Sequence, residues 1–156
     1  MIELAVKKTV HDWFDPDALY SARNLLPNNE RLVYISPENF LKLAKVIKNK
    51  FGYGKDKMKG VKKLIKTGTP FSEIPYLRIM PAYELDDDWV EHIIPDTGQV
   101  WGHEGRHRAM NLKALGWKKM PVILKFDQLN RVPKYIMNQD GTDTFLWTKV
   151  IKPYTR

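Results

Sequence analysis

The chain has 156 residues, of which 43% are hydrophobic and 12% aromatic, a composition typical of one globular domain rather than of a disordered chain. The absence of cysteine excludes a disulfide framework, a thiolate zinc site and a cysteine nucleophile. The formal net charge is +8, and no apolar run approaches the roughly 20 residues that a membrane-spanning helix needs. We therefore expect a soluble, cytoplasmic protein that has no membrane partner.

The first predicted elements are a strand and a helix. Residues 1–30 show no clear pattern, whereas residues 32–35 are typical of a short strand. Ser36 and Pro37 then predict the start of a helix, because serine caps helix N-termini and proline suits the first helical position. Apolar residues continue at helical spacing as far as Phe51.

The middle of the chain predicts a second helix and a second strand. Residues 61–65 indicate a short helix that ends at Gly68, because glycine favours the left-handed conformation that follows a helix. Residues 76–80 are typical of a strand. The acidic residues 84–91 are interpreted as a loop or a short helix.

The region from residue 98 to residue 126 predicts a strand, a glycine-containing turn, a helix and another strand. The first strand covers residues 98–102. The helix runs from Arg106 to Leu115 and ends at Gly116. Residues 121–126 form the clearest strand pattern of the chain.

These elements predict an α/β (α+β) fold with a small mixed sheet and flanking helices, in a single domain that covers residues 1–156. Its core is expected over about residues 60–126, or from residue 32 if the first strand belongs to it. Residues 1–30 and 127–156 would then be extensions. In the second extension, Asp140 and Gly141 indicate a turn, and residues 145–147 are expected to pack on the core.

Charge is distributed unevenly along the chain. Residues 42–66 contain ten lysines and one acid, whereas residues 84–91 contain five acids and no base. A basic stripe of this kind attracts polyanions, so Lys62, Lys63 and Lys66 are candidate nucleic-acid contacts. The alternative is a solvated helix face that has no ligand.

The turn before the predicted helix at residues 106–115 contains the candidate catalytic and phosphate-binding residues. Gly105 lets the backbone bend sharply at a helix start, where exposed N–H groups bind anions. Arg106, His107 and Arg108 lie at this positive helix end, where cations are disfavoured unless a phosphate is bound. Glu104 can act as a general base or hold Mg²⁺, and His107 can move a proton. The alternative is a set of surface ion pairs in which Glu104 binds an arginine.

This segment resembles a known superfamily. The similarity lies in a strand and turn over residues 100–109, a Leu-Gly pair at 115–116 and a Pro-Val strand at 120–123, with a helix and strand upstream at 65–79. This pattern resembles the motif of the ParB/sulfiredoxin superfamily, and the similarity covers about residues 60–126. Residues 36–41 also resemble related domains in phage and mobile-element proteins.

The resemblance implies a nucleotide-binding fold, because the superfamily includes CTP-binding partition proteins, sulfiredoxins, free-serine kinases and reported nucleases. His107 and Arg108 match its phosphate-binding pair. Arg106 lies where sulfiredoxins have their catalytic cysteine, so sulfiredoxin activity is excluded. Glu104 lies where the kinases have an acidic residue.

We therefore expect a nuclease or NTPase, a hydrolase that acts on nucleotide or nucleic-acid phosphates with Mg²⁺ and a nucleoside triphosphate as cofactors. One alternative is an ATP-dependent phosphotransferase that acts on a small hydroxyl compound. The other is a non-catalytic, phage-type protein that binds DNA or a host-protein target.

A competing motif overlaps the same residues. The segment from His103 to His107 fits H-E-x-x-H, which in zinc hydrolases places both histidines on one helix face. Gly105 disfavours that helix by about 1 kcal/mol relative to alanine. No histidine or glutamate follows His107, so only an aspartate could be the third ligand.

Two other features have weaker functional interpretations. Trp101 can stack on a base, although a position in the core or at its rim is favoured. Residues 86–88, three consecutive aspartates, can bind a divalent ion, although an acidic surface loop is favoured. His11 and His92 have no predicted role.

Overall fold

The structure is a computed structural model that describes residues 9–44, 55–133 and 151–152, and in this part of the chain helices flank one mixed sheet. Hydrophobic side chains from the sheet and the helices form one buried core cluster. The elements, in chain order, are a 3-10 helix Val10–Trp13, α1 Pro16–Asn24, β1 Glu30–Ile35, α2 Pro37–Ala44, α3 Lys55–Thr67, β2 Tyr76–Leu85, β3 Glu91–Glu104, α4 Arg106–Ala114, β4 Met120–Phe126 and β5 Ile151–Lys152.

The five strands lie in the order β1-β4-β2-β3-β5. The β1–β4 and β2–β3 pairs are antiparallel, whereas the β2–β4 and β3–β5 pairs are parallel. This arrangement confirms the predicted α+β class with a small mixed sheet. None of the helices in the described residues is long and apolar enough to cross a membrane.

The helix start predicted at Ser36 and Pro37 and the helix end predicted at Gly68 are confirmed, whereas α3 begins at Lys55 and is longer than the short helix predicted over residues 61–65. The Ser36 hydroxyl oxygen accepts a hydrogen bond from the N–H of Asn39 at 3.0 Å, so α2 has the predicted serine cap. Gly68 has a φ of +73° directly after α3, and the N–H of Thr69 donates to the Leu64 carbonyl at 3.0 Å. The predicted continuation of α2 to Phe51 lies outside the described residues.

The segment before β1 forms two short helices, which the sequence did not predict. Asp15 caps α1 by accepting a hydrogen bond from the N–H of Ala18 at 3.2 Å, and Pro16 occupies the first helical position. Leu19 and Ala22 of this helix are buried in the common core. Part of the predicted N-terminal extension is therefore part of the core.

The acidic stretch at residues 84–91 forms the tip of the β2–β3 hairpin, so the predicted loop is present at residues 86–90, between the end of β2 and the start of β3. The Asp86 carboxylate accepts hydrogen bonds from the N–H groups of Asp88 and Val90, both at 2.9 Å, and lies 2.6 Å from the His92 ring. The hydrogen bond with His92, followed by those from the backbone, lowers the pKa of Asp86. Trp89 at this tip is 80% exposed.

The sheet has two different faces, because successive side chains of a strand point to opposite sides. One face contributes its side chains to the buried core cluster, which also contains residues of α2 and α4, and α2 contacts β3 directly. The second face carries the alternate residues, such as Tyr34, Tyr76 and Arg78, which are only half-buried. The 3-10 helix contacts this second face at β1, where the His11 ring lies 2.8 Å from the Tyr34 hydroxyl. We call the remainder of this face, which carries Tyr76, Arg78, Trp101 and Lys125, the open part of the second sheet face.

The predicted turn at Asp140 and Gly141 and the predicted packing of residues 145–147 lie outside the described residues.

Candidate functional site

The turn between β3 and α4 has the predicted form. Glu104 ends the strand, Gly105 has a φ of +108°, and the helix begins at Arg106. A Cβ atom at position 105 would lie 2.6 Å from the Cβ of Pro75, closer than real Cβ atoms approach other heavy atoms. Glycine is therefore required here both for its backbone conformation and for its close approach to Pro75.

The same geometry removes the basis of the zinc-hydrolase interpretation. His103 and Glu104 are the last residues of β3, whereas His107 belongs to the first turn of α4. The left-handed glycine between them prevents both histidines from lying on one helix face, which the H-E-x-x-H chemistry needs. Among the residues whose placement is described, no group of three or more histidine, aspartate or glutamate side chains is arranged to hold a metal ion.

A pocket of about 390 Å³ lies at this turn. It brings together Glu104 and the block Gly105–Arg108, which the sequence selected as the candidate site, with His103 and Val61 as further lining residues. The first turn of α4 contains no acidic residue. The positive end of the helix dipole and two arginines therefore meet at one concave surface, which favours an anion.

Arg108 connects the pocket to the rest of the fold. Its Nη1 donates a hydrogen bond to the carbonyl of Glu73 at 2.5 Å, in the segment that leads into β2. Burial lowers the pKa of Arg108, against the attraction of the Glu73 and Glu104 carboxylates. The guanidinium still remains charged at neutral pH. Because a guanidinium carries five N–H donors, the bond to Glu73 does not exhaust its capacity to bind a ligand.

The two histidines of the pocket form its wall. His107 is only 8% exposed, and its backbone carbonyl accepts a hydrogen bond from Asn111 Nδ2 at 2.8 Å within α4. The His103 ring points to the core side of the sheet, where it lies nearly perpendicular to the Phe40 ring with 6.3 Å between the two centroids. Arg106 is half-buried and Glu104 is exposed, so these two side chains are accessible from solvent.

The three predicted lysine contacts do not line this pocket. Lys62, Lys63 and Lys66 are exposed along α3, whose Val61 does line the pocket. Ile65 is buried, so the lysines lie on the solvent side of the same helix. They can attract a polyanion to this part of the molecule, although they do not line the pocket at the turn.

A larger groove, of about 600 Å³, lies elsewhere, between α1, β1 and residues 131–132. Its lining includes Arg23, Arg31 and Arg131, with Glu30 beside them. The groove contains none of the residues of the β3–α4 turn and no helix N-terminus of the described chain. The pocket at the β3–α4 turn combines two arginines with a helix N-terminus, both of which favour phosphate, so we regard it as the candidate site.

The open part of the second sheet face contains an arrangement that the sequence did not reveal. Arg78 on β2 forms two hydrogen bonds with the Asp127 carboxylate, at 3.2 and 3.3 Å, and this ion pair raises the pKa of Arg78. Trp101 Nε1 donates to the same carboxylate at 2.7 Å, and the indole ring lies 5.3 Å from the Arg78 Cζ. Trp101 is 45% exposed and does not belong to the buried core cluster, so the position in the core or at its rim, which the sequence favoured, is not confirmed.

A second cation–π pair lies next to this arrangement. Lys125 on β4 places its Nζ atom 4.1 Å from the centroid of the Tyr76 ring. The strand register that aligns Arg78 with Lys125 could not be read from the sequence, because β2 and β4 are parallel neighbours separated by β3 and α4 in the chain.

Comparisons of the chain with protein-family profiles, curated proteins and solved structures give no match. The resemblance to the ParB/sulfiredoxin superfamily therefore stays a prediction from the motif at residues 100–123.

Proposed function

We propose that this protein binds the phosphate groups of a nucleotide or a nucleic acid at the Gly105–Arg108 turn and acts on them as a nuclease or NTPase. The observation that supports the proposal most directly is the position of Gly105. Its left-handed conformation and its close approach to Pro75 open the N-terminus of α4 into a pocket with two arginines.

The binding step follows from the electrostatics of this turn. The first N–H groups of a helix have no acceptor within that helix, and their dipoles favour negative charge. Arg106 and Arg108 add planar donors that match phosphate oxygens in pairs. Arg108 is already fixed by the Glu73 carbonyl, so less side-chain freedom is lost when a ligand binds.

The catalytic step depends on Glu104. It is the only carboxylate, among the described residues, that lines the pocket, and its exposed position allows it to accept a proton from an attacking water or hydroxyl. Mg²⁺ at nucleotide sites is often held by one or two carboxylates together with phosphate oxygens, so this donor set fits the ion. Bound there, Mg²⁺ would neutralise phosphate charge, and Glu104 would hold it. His107 would complete the wall beside the phosphate.

Two alternatives share parts of this site. A phosphotransferase would use Glu104 in the same way but with the hydroxyl of a small compound as the acceptor. A non-catalytic protein that binds DNA or a host protein would use the exposed lysines of α3, Lys62, Lys63 and Lys66. The product distinguishes the first alternative, and the absence of turnover distinguishes the second.

Calorimetric titration with ATP and CTP in the presence of Mg²⁺ tests the binding step. The loss of one charged hydrogen bond typically costs about 1.5–3 kcal/mol, so Arg106→Ala should weaken binding roughly 10- to 150-fold. Arg131→Ala is the matched control, because this exposed arginine lies on the distant groove. Equal affinities of the two variants would contradict the proposed phosphate site.

Glu104→Gln separates binding from chemistry. The amide keeps the shape of the side chain but can neither accept a proton nor balance a metal charge, so ligand binding should remain and turnover should disappear. Release of inorganic phosphate and cleavage of a labelled oligonucleotide measure the two expected activities. A Glu104→Gln variant that retains full turnover would remove Glu104 from the mechanism.

A further inference from the structure

We propose that the open part of the second sheet face is a base-stacking site for single-stranded nucleic acid, centred on Trp101. The proposal rests on the proposed function only in the choice of nucleic acid as the ligand. The site consists of Trp101, Arg78 and Asp127, with Tyr76 and Lys125 beside them.

The Trp101 ring is exposed and yet held in place. Its Nε1–H group donates to Asp127 Oδ2 at 2.7 Å, and the guanidinium of Arg78 lies against the ring, with 5.3 Å between Cζ and the centroid. Arg78 is itself fixed by two hydrogen bonds to Asp127. An aromatic ring that remains 45% exposed under these constraints is preorganised to stack on another flat group.

Gly102, the next residue in the chain, has no side chain that could cover the Trp101 ring or Arg78. Gly102 is aligned with Arg78 across the β2–β3 ladder, and a Cβ at position 102 would lie 3.5 Å from the Arg78 Cδ. A side chain there would lie over the stem of Arg78. Glycine instead leaves room for a ligand to reach both the guanidinium and the indole.

The surface continues toward the phosphate pocket. Tyr76 and Arg78 are two residues apart on β2, so they share a face of the sheet. Tyr76 is aligned with Glu104, which also lines the pocket. Lys125 Nζ lies 4.1 Å from the centroid of the Tyr76 ring, so this part of the face also carries a cation. One extended strand can therefore place a phosphate at Gly105–Arg108 and a base on Trp101.

The chemistry favours single strands over duplexes. Stacking on an aromatic side chain needs an unpaired base whose face is accessible, and it tolerates any base because every base has a π face. Asp127 neutralises Arg78, so the attraction for the backbone comes from Lys125 and from the overall charge of +8. By contrast, Trp89 is surrounded by the acidic residues 84–91, which repel a polyanion.

Fluorescence anisotropy with labelled oligo(dT) and oligo(rU) tests the proposal on the full chain. Trp101→Ala should weaken single-strand binding roughly 5- to 150-fold, the range of one lost stacking interaction. Trp89→Ala is the matched control, an exposed tryptophan outside the site, and should bind like the wild type. An equal affinity of Trp101→Ala and wild type, or an equal loss for duplex DNA, would overturn the proposal.

A second measurement does not depend on the stability of the alanine variant. Trp101→Phe keeps a ring but removes the indole, so the quenching of tryptophan fluorescence by oligo(dT) should fall sharply in this variant and persist in Trp89→Phe. Unchanged quenching in Trp101→Phe would overturn the stacking site. If the wild type binds oligonucleotides through Trp101 but binds neither ATP nor CTP, the stacking site stands and the proposed nucleotide site fails.

Discussion

Gly105→Ala tests the feature on which the candidate site depends. The added Cβ would lie 2.6 Å from Pro75 Cβ, 2.9 Å from Pro75 Cγ and 3.0 Å from Pro75 Cα. These atoms belong to a rigid ring and to the backbone, so they cannot move aside as a flexible side chain would. The substitution should therefore push the start of α4 away from the segment before β2.

The size of the effect follows from two contributions. An L-residue in a left-handed conformation costs roughly 1–2 kcal/mol, and overpacking at a well-packed position costs about 1–3 kcal/mol. Together they predict a loss of about 2–5 kcal/mol in the free energy of unfolding. For a protein of this size, where 1 kcal/mol shifts Tm by roughly 2–4 °C, Tm should fall by roughly 4–20 °C.

Two other glycines are matched controls. Gly116 has a φ of +87°, and a Cβ there meets no described atom within 4 Å, so Gly116→Ala isolates the conformational cost. Gly60 lies within α3 and also meets no described atom within 4 Å, so Gly60→Ala should stabilise the helix by about 0.5–1 kcal/mol.

Thermal and urea unfolding followed by circular dichroism measure all three variants. The expected order of stability is Gly60→Ala above wild type, then Gly116→Ala, then Gly105→Ala. If Gly105→Ala unfolds together with Gly116→Ala, contact with Pro75 does not constrain the turn, and the argument from close approach is wrong.

The remaining predictions concern local hydrogen bonds. Ser36→Ala removes the acceptor of the Asn39 N–H, so urea unfolding should show a loss of about 1 kcal/mol, and Ser36→Asp should retain the cap; equal losses would contradict a capping role. The folded-state pKa of Asp86 is lowered, so its stabilisation of the hairpin is present above its ordinary pKa of 3.8 and disappears as pH falls through the folded value. The NMR shift of the Val90 amide should follow this titration in the wild type, and a persistent titration in Asp86→Asn would assign it to another group.

Sequence reasoning succeeded where local physics determines the structure. The serine cap at Ser36, the helix end at Gly68 and the helix start at Arg106 each depend on a few consecutive residues. The strand at 121–126 was found because its apolar run is short and begins after a helix-ending glycine. The same reasoning could have found α1, since Asp15 and Pro16 form a cap followed by a proline at the first helical position.

The long hairpin was missed because its signal is weak. The acidic residues 84–91 have low strand propensity, and a loop or helix was the simpler interpretation. In the structure the Asp86 carboxylate stabilises the turn by accepting hydrogen bonds from two backbone N–H groups. β2 and β3 therefore extend well beyond the residues whose apolar pattern was recognised, 76–80 and 98–102.

The open sheet face could not be predicted, because it depends on a register shift in the middle of the β2–β3 ladder. Ile79 is aligned with Val100 and Arg78 with Gly102, which leaves Trp101 as an extra residue between the two pairs. Regular alternation from the buried Val100 would instead have turned His103 toward the open face and Glu104 toward the core. Because of the extra residue, His103 packs against Phe40 and Glu104 is exposed beside the pocket. The irregularity therefore places Glu104, the candidate base, at the pocket and aligns Gly102 with Arg78, whereas Trp101 would point to the open face with regular alternation as well.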